Sequence, residues 1–193
     1  TGTSMQELIL VIPPNTFENV FTLNGLELAD GDLLDNYQLN GQTLSIALPS
    51  ALDAGAQIEV VLRYRLELPP AYGPFGYTSR QNNFGDWYPY VAARDRQNKP
   101  LIYARDTVGD NTVQDPADYH VEVELKEDGD WLLAGSSIPQ QDGSRMVFDL
   151  LSARSFSWSA GLDMIVIHQV DGGVDYRAVI YREHEAAGQE VLF

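Results

Sequence analysis

Gln57-Ile58-Glu59-Val60-Val61-Leu62-Arg63-Tyr64-Arg65-Leu66-Glu67-Leu68 is the longest strand candidate in the chain, and its alternation sets the fold class. Ile58, Val60, Leu62 and Tyr64 share one face of a period-two repeat, while Glu59, Arg63, Arg65 and Glu67 mostly populate the other. The same texture extends in both directions. Upstream, Glu7 to Ile12 reads as a strand stopped by Pro13-Pro14. Asn19 to Leu23 and Leu26 to Leu28 read as two strands around an Asn24-Gly25 turn. Leu39-Asn40-Gly41-Gln42-Thr43 repeats that hairpin signal before Leu44 to Leu48, which Pro49 caps. Downstream, strands are expected at Asp86–Ala93, Tyr119–Leu125, Trp131–Ala134, Met146–Leu151, Ser155–Ser159, Met164–Val170 and Val174–Tyr181. Short strands separated by Gly-rich turns predict an all-β fold of antiparallel sandwich type.

Two stretches interrupt this texture. Pro69 to Asn83 is rich in Pro, Gly, Tyr and Asn and reads as a long surface connection, and Asp106 to Pro116 reads as a second polar loop. From Glu183 to Phe193 the pattern changes to an amphipathic helix, with Ala187 and Val191 on one face at i and i+4.

Composition bounds the chemistry. A chain of 193 residues with 44% hydrophobic and 21% charged residues can bury a core without staples. Its 28 acidic residues outnumber 12 basic ones, for a net charge of −16. The closest basic groupings, Arg63 with Arg65 and Arg94 with Arg96, are too small to track a phosphate backbone, so nucleic acid is not an expected partner. The acidity reads first as a solubility feature, with a loose attraction for cationic ligands as the alternative. No apolar run approaches the roughly 20 residues of a membrane span. The absence of Cys excludes disulfides, thiolate zinc sites and a cysteine nucleophile.

Motifs for metal and nucleophile chemistry are absent or broken. His184-Glu185-Ala186-Ala187-Gly188 approaches the zinc-protease motif, in which two His at i and i+4 ligate, but position 188 is Gly. His120 and His168 sit in separate alternating strands and read as ordinary sheet residues. Asp30-Gly31-Asp32 and Asp128-Gly129-Asp130 lack the twelve-residue loop of a calcium hand and read as turns. No Gly-x-Ser-x-Gly elbow or phosphate loop occurs. Tyr72, Phe75, Tyr77, Phe84, Trp87, Tyr88 and Tyr90 crowd the middle of the chain. Aromatics favour strands, and the alternation of Trp87 with Tyr88 and Tyr90 predicts a segment covered on both faces.

Phe84-Gly85-Asp86-Trp87-Tyr88-Pro89 resembles the "G-N-W-Y-P" segment in the N-terminal β domain of M1-family zinc aminopeptidases, the gluzincins. Ala117-Asp118-Tyr119 with Val121, Val123 and Leu125, then Ala134-Gly135, is similar to that family's next strand and turn. Arg154-Ser155-Phe156-Ser157-Trp158 resembles its "R-D-F-A-W" strand. The resemblance implies a curved antiparallel β-sandwich or saddle over residues 1–182, with residues 183–193 beginning a linker helix toward a catalytic domain. The family's zinc motif and its Gly-x-Met-Glu-Asn motif lie beyond Phe193, so no cofactor is expected in this chain and zinc is expected in that catalytic domain. The implied partners are the downstream catalytic domain and the N-terminus of a peptide substrate. In the family this β domain contributes a Gln or Glu that binds the substrate's α-amino group. Gln81 is the position that could match, and Gln81 and Tyr77 are the candidate substrate-binding residues. No residue is assigned a catalytic or metal-ligating role. The alternative expectation is a stand-alone acidic β-sandwich that binds a glycan or protein through the aromatic segment Pro69 to Asn83, with Tyr77 and Trp87 as its contacts.

Overall fold

The computed structural model describes residues 4–71, 73–103, 112–126 and 129–192. Tyr72, positions 106–111 of the expected polar loop, Asp128 of the acidic turn and Phe193 of the expected helix lie outside these residues. The described elements in chain order are β1 (Met5–Val11), β2 (Phe21–Leu28), β3 (Tyr37–Asn40), β4 (Thr43–Leu52), β5 (Val60–Leu66), β6 (Phe75–Tyr77), β7 (Gln81–Phe84), β8 (Tyr90–Val91), β9 (Ala117–Glu124), β10 (Trp131–Gly135), β11 (Gln140–Asp142), β12 (Arg145–Ala153), β13 (Trp158–Leu162), β14 (Met164–Asp171), β15 (Val174–Tyr181) and α1 (Glu185–Leu192). Every ladder between these strands is antiparallel, and a short helix closes the chain. The all-β class expected from the alternation is the class observed.

The chain divides into two compact units. The first comprises Thr1–Leu68 and Asp86–Asp115. It holds the sheet β3-β4-β1-β8 and the ribbon β2-β5. Its core is built from Leu8, Leu10, Ile12, Phe21, Leu26, Leu34, Leu44 and Ile46, with Val60, Leu62, Tyr64 and Leu66 packed against it. The apolar face of the 57–68 segment is therefore the buried one, as its alternation requires. Tyr64 stacks on Phe21 at 5.3 Å, and burial pushes its phenol up to about 12.

Three expectations in this unit are corrected. Asn24-Gly25 is not a hairpin turn. β2 runs unbroken through it, and the register slips between Leu23↔Tyr64 and Gly25↔Arg63, so Asn24 forms a bulge. Pro49 does not end β4, because it falls where the β1–β4 register shifts between Glu7↔Ala47 and Met5↔Leu52 and no regular ladder needs its missing N–H. Asp86–Ala93 is not one strand. Asp86 takes a φ of 49°, which extended backbone cannot continue through, and only Tyr90–Val91 pairs, with β1. The Leu39–Thr43 hairpin forms, with Gly41 and Gln42 as its two-residue turn and Gly41 at a φ of 54°.

The second unit comprises Pro69–Gly85 and Pro116–Phe193. It holds the sheets β10-β13-β7-β6 and β11-β12-β9, the ribbon β14-β15 and α1. Pro69–Asn83 is not a plain surface connection. It folds as the hairpin β6–β7, and β7 pairs with β13 as an interior strand. The strand expected at Ser155–Ser159 starts later, at Trp158. Phe156 is instead fully buried, edge-on to Phe148 and stacked near Tyr119. α1 forms where helix was expected, but Ala187 is exposed and Val191 is 86% exposed. The helix approaches the β14–β15 ribbon at Gly188, where an added Cβ would fall 2.4 Å from Ile180 Cδ1 and 2.8 Å from Ile167 Cδ1. The residue that breaks the zinc-protease pattern is thus a packing contact.

Candidate functional site

Antiparallel pairing puts directly opposed residues on one face of a sheet. Ser159 opposes Asn83, and Gly161 opposes Gln81, so Gln81, Asn83, Ser159 and Ala134 share one face of the β10-β13-β7-β6 sheet. Tyr77 opposes Asn82 and lies on the other face. The two candidate residues are therefore not brought together. Tyr77 is 45% exposed, whereas Gln81 is half-buried.

The face carrying Gln81 is covered by the β14–β15 ribbon, and Met164 of that ribbon seats on Gly161. Between them lies a half-open cavity of about 190 Å³, lined by Gln81, Leu132, Ala134, Ser159, Met164, Val179, Ile180 and Tyr181. Its wall is mostly apolar, and its polar groups are the amide of Gln81 and the hydroxyls of Ser159 and Tyr181. Tyr181 Oη donates to Gln81 Oε1 at 3.0 Å, and Gln81 Nε2 donates to Asn83 Oδ1. Ser159 Oγ donates to the same Asn83 oxygen at 2.9 Å, and Asn83 Nδ2 donates to the Gly73 carbonyl at 2.9 Å. A half-buried amide cluster connected in this way restrains its members against one another. The Gln81 oxygen has two lone pairs and spends one on Tyr181, which leaves capacity for a further donor.

An ionic group adjoins this cluster. Arg80 lies over the Tyr181 ring at 3.8 Å, donates to Glu183 Oε1 at 2.7 Å and reaches Asp163 Oδ2 at 3.5 Å. The hydrogen bond to Glu183 raises the Arg80 pKa, and the same bond holds the Glu183 carboxyl below its ordinary value. The sequence reading missed Asn83, Ser159, Tyr181 and Arg80. The i, i+2 pair Gln81 and Asn83 was the available signal, and it becomes readable once 81–84 is recognised as a strand.

The opposite face of the sheet carries a smaller recess of about 150 Å³, lined by Asn82, Phe84, Leu125, Lys126, Trp131, Trp158 and Ala160. Phe84 and Trp158 stack there at 3.9 Å, nearly parallel at 3°. His120 and His168 stand apart from both cavities, whereas the His184 ring lies edge-on to that of Tyr181 at 6.5 Å. His120 faces Asp149 and Glu122, His168 faces Asp175, and His184 faces Glu183. Among the described residues no three His, Asp or Glu side chains converge as a metal-binding group.

No family model and no curated protein matches the sequence. Solved structures do match the fold. An M1 zinc metallopeptidase from Deinococcus radiodurans superposes with a TM-score of 0.52 at 13% identity, over 93% of this chain and 40% of that one. A mutant of it superposes at 0.53 and 14% identity, over 93% and 40%. A mutant bound to a Tyr-Ser-Ala substrate superposes at 0.52 and 12%, over 93% and 41%. The chain thus spans about 40% of the length of these enzymes. At such identities the likeness is one of fold, a structural resemblance to the N-terminal domain of M1 metallopeptidases.

Proposed function

We propose that this chain is the non-catalytic N-terminal β domain of an M1-like zinc metallopeptidase, forming part of the substrate-cleft wall and offering Gln81 to the free α-amino group of a peptide. The observation that carries the reading is the fold likeness along 93% of this chain to only 40% of a zinc metallopeptidase. Residues 1–182 then act as the β domain, and 183–193 begin the helix toward a catalytic domain that holds the zinc. The Gln81 oxygen supports the finer role, because it borders a half-open cavity and retains a lone pair. An α-ammonium is a donor-only group, and a charge-assisted hydrogen bond to an amide oxygen suits it. The net charge of −16 adds long-range attraction for that cation.

The test uses the purified chain and the tripeptide Tyr-Ser-Ala, free or N-acetylated. The free-amine form binds more tightly, by roughly tenfold for one charge-assisted hydrogen bond, and Gln81→Ala removes the difference. The chain alone releases no amino acid from the peptide when zinc is added. Stoichiometric zinc with turnover by this chain would overturn the reading. So would a parent gene with no His-Glu-x-x-His motif and following Glu downstream of the Phe193 codon.

A further inference from the structure

The hydrogen bonds around Gln81 fix the direction of its amide. The Gly73 carbonyl can only accept, so Asn83 must turn its NH2 toward it, which makes Asn83 Oδ1 an acceptor. That oxygen takes the Gln81 NH2 and the Ser159 hydroxyl. A flipped Gln81 would press oxygen against oxygen at Asn83, so its Oε1 faces Tyr181 and the cavity. Tyr181 is itself held from its ring side by Arg80 at 3.8 Å. Arg80 is anchored at 2.7 Å to Glu183, inside the 3-10 turn Arg182–His184 that opens α1. A second strap reaches the same turn, since Arg182 N donates to the Asp163 carbonyl at 2.9 Å and Arg80 also faces the Asp163 carboxylate.

We propose that Asn83 and Tyr181 are positioning residues that keep the Gln81 amide oxygen toward the cavity, and that Arg80 couples this alignment to the entry of helix α1. The consequence for the site rests on the reading of Gln81 as acceptor for a peptide α-ammonium. A displacement of the α1 entry moves Glu183, loosens Arg80 and releases the Tyr181 ring. The Tyr181 hydroxyl then no longer holds the Gln81 oxygen. The helix entry thereby becomes a control point for the peptide-facing acceptor.

The experiment reads the Gln81 side-chain amide resonances by NMR in the full chain, assigned through their loss in Gln81→Ala. Tyr181→Phe, which removes only the hydroxyl, shifts these resonances while the backbone spectrum is retained. Arg80→Ala and Glu183→Gln shift them in the same direction, and Arg80→Lys recovers part of the wild-type position. The free-amine preference for Tyr-Ser-Ala falls several-fold in Tyr181→Phe. Unmoved Gln81 resonances in Tyr181→Phe would overturn the positioning role. Unmoved resonances in Glu183→Gln would overturn the coupling to α1, and this exposed substitution keeps that arm decisive if Arg80→Ala fails to fold. Shifts as expected, with no free-amine preference in the wild type, would overturn the function assigned to Gln81 and leave the relay standing.

Discussion

Gly76 sits in β6 at a φ of +145°, a backbone state that L side chains rarely adopt. An added Cβ would fall 2.7 Å from the Pro69 carbonyl oxygen and 2.8 Å from Ala71 Cβ, and the carbonyl belongs to backbone that cannot rotate aside. Both the strain and the clash oppose a side chain. Gly76→Ala is therefore expected to destabilise the protein by about 2–4 kcal/mol in urea denaturation. Gly73, three residues earlier, has nothing within 4 Å of an added Cβ, and Gly73→Ala should stay within about 0.5 kcal/mol. Equal losses at the two positions would remove the steric argument. This contrast also shows why the 69–83 segment misled the sequence reading. Its Pro and Gly residues are turn formers in isolation, yet here Gly76 lets β6 pass close to Pro69, and β7 behind it becomes an interior strand. Gln81 was visible as a polar residue before an aromatic segment. That Tyr181 lies against it, 100 residues away, was not legible, because only the β7–β13 pairing and the covering ribbon bring them together.

At the scale of elements, the β9–β12 ladder sets His120 opposite Asp149, with Nδ1 2.7 Å from the Asp149 carboxylate and Nε2 3.4 Å from Glu122. Arg145 also holds Glu122, at 2.6 Å. The hydrogen bond to Asp149, then that to Glu122, raises the His120 pKa, while His120 and then Arg145 lower that of Glu122. A raised His pKa contributes stability that is fully present below the ordinary value of about 6.5 and is lost as pH rises through the folded value. A lowered Glu pKa contributes stability present above its ordinary value and lost as pH falls through the folded one. The cluster is thus most favourable between those limits. These groups are well exposed, so the midpoint is the readout and not the melting temperature. An NMR titration should place His120 above the ordinary His value, and Asp149→Asn should bring it back toward that value. An ordinary midpoint in the wild type would contradict the geometry. Alternation located these strands to within a few residues, and Val174–Tyr181 to the residue. It did not separate Asp86–Ala93 from a true strand, since a positive φ at Asp86 leaves no trace in hydrophobic pattern.

For the molecule as a whole, the two units interleave in sequence: residues 69–85 leave the first and join the second before the chain returns at Asp86. The Phe84–Pro89 motif straddles that passage, and the Pro- and Gly-rich texture of Pro69–Asn83 coincides with it but reads in sequence as a surface connection and not as a change of unit. Charge, by contrast, is fully legible from the sequence and predicts a global property. With 28 acidic and 12 basic residues, 28 − 12 leaves an excess of 16 negative charges. Repulsion among them opposes compaction, while the ion pairs that form are largely exposed and each contributes about 0–1 kcal/mol. Salt weakens both effects, but the excess of 16 negative charges decides the sign. Raising sodium chloride from about 0.01 M to about 0.1 M shortens the screening length from about 30 Å to about 10 Å. The urea midpoint at pH 7 should therefore rise across that range and level off once screening is complete. A midpoint that falls with salt would mean that the exposed pairs outweigh the excess, and that specific contacts and not net charge set the electrostatic balance of this fold.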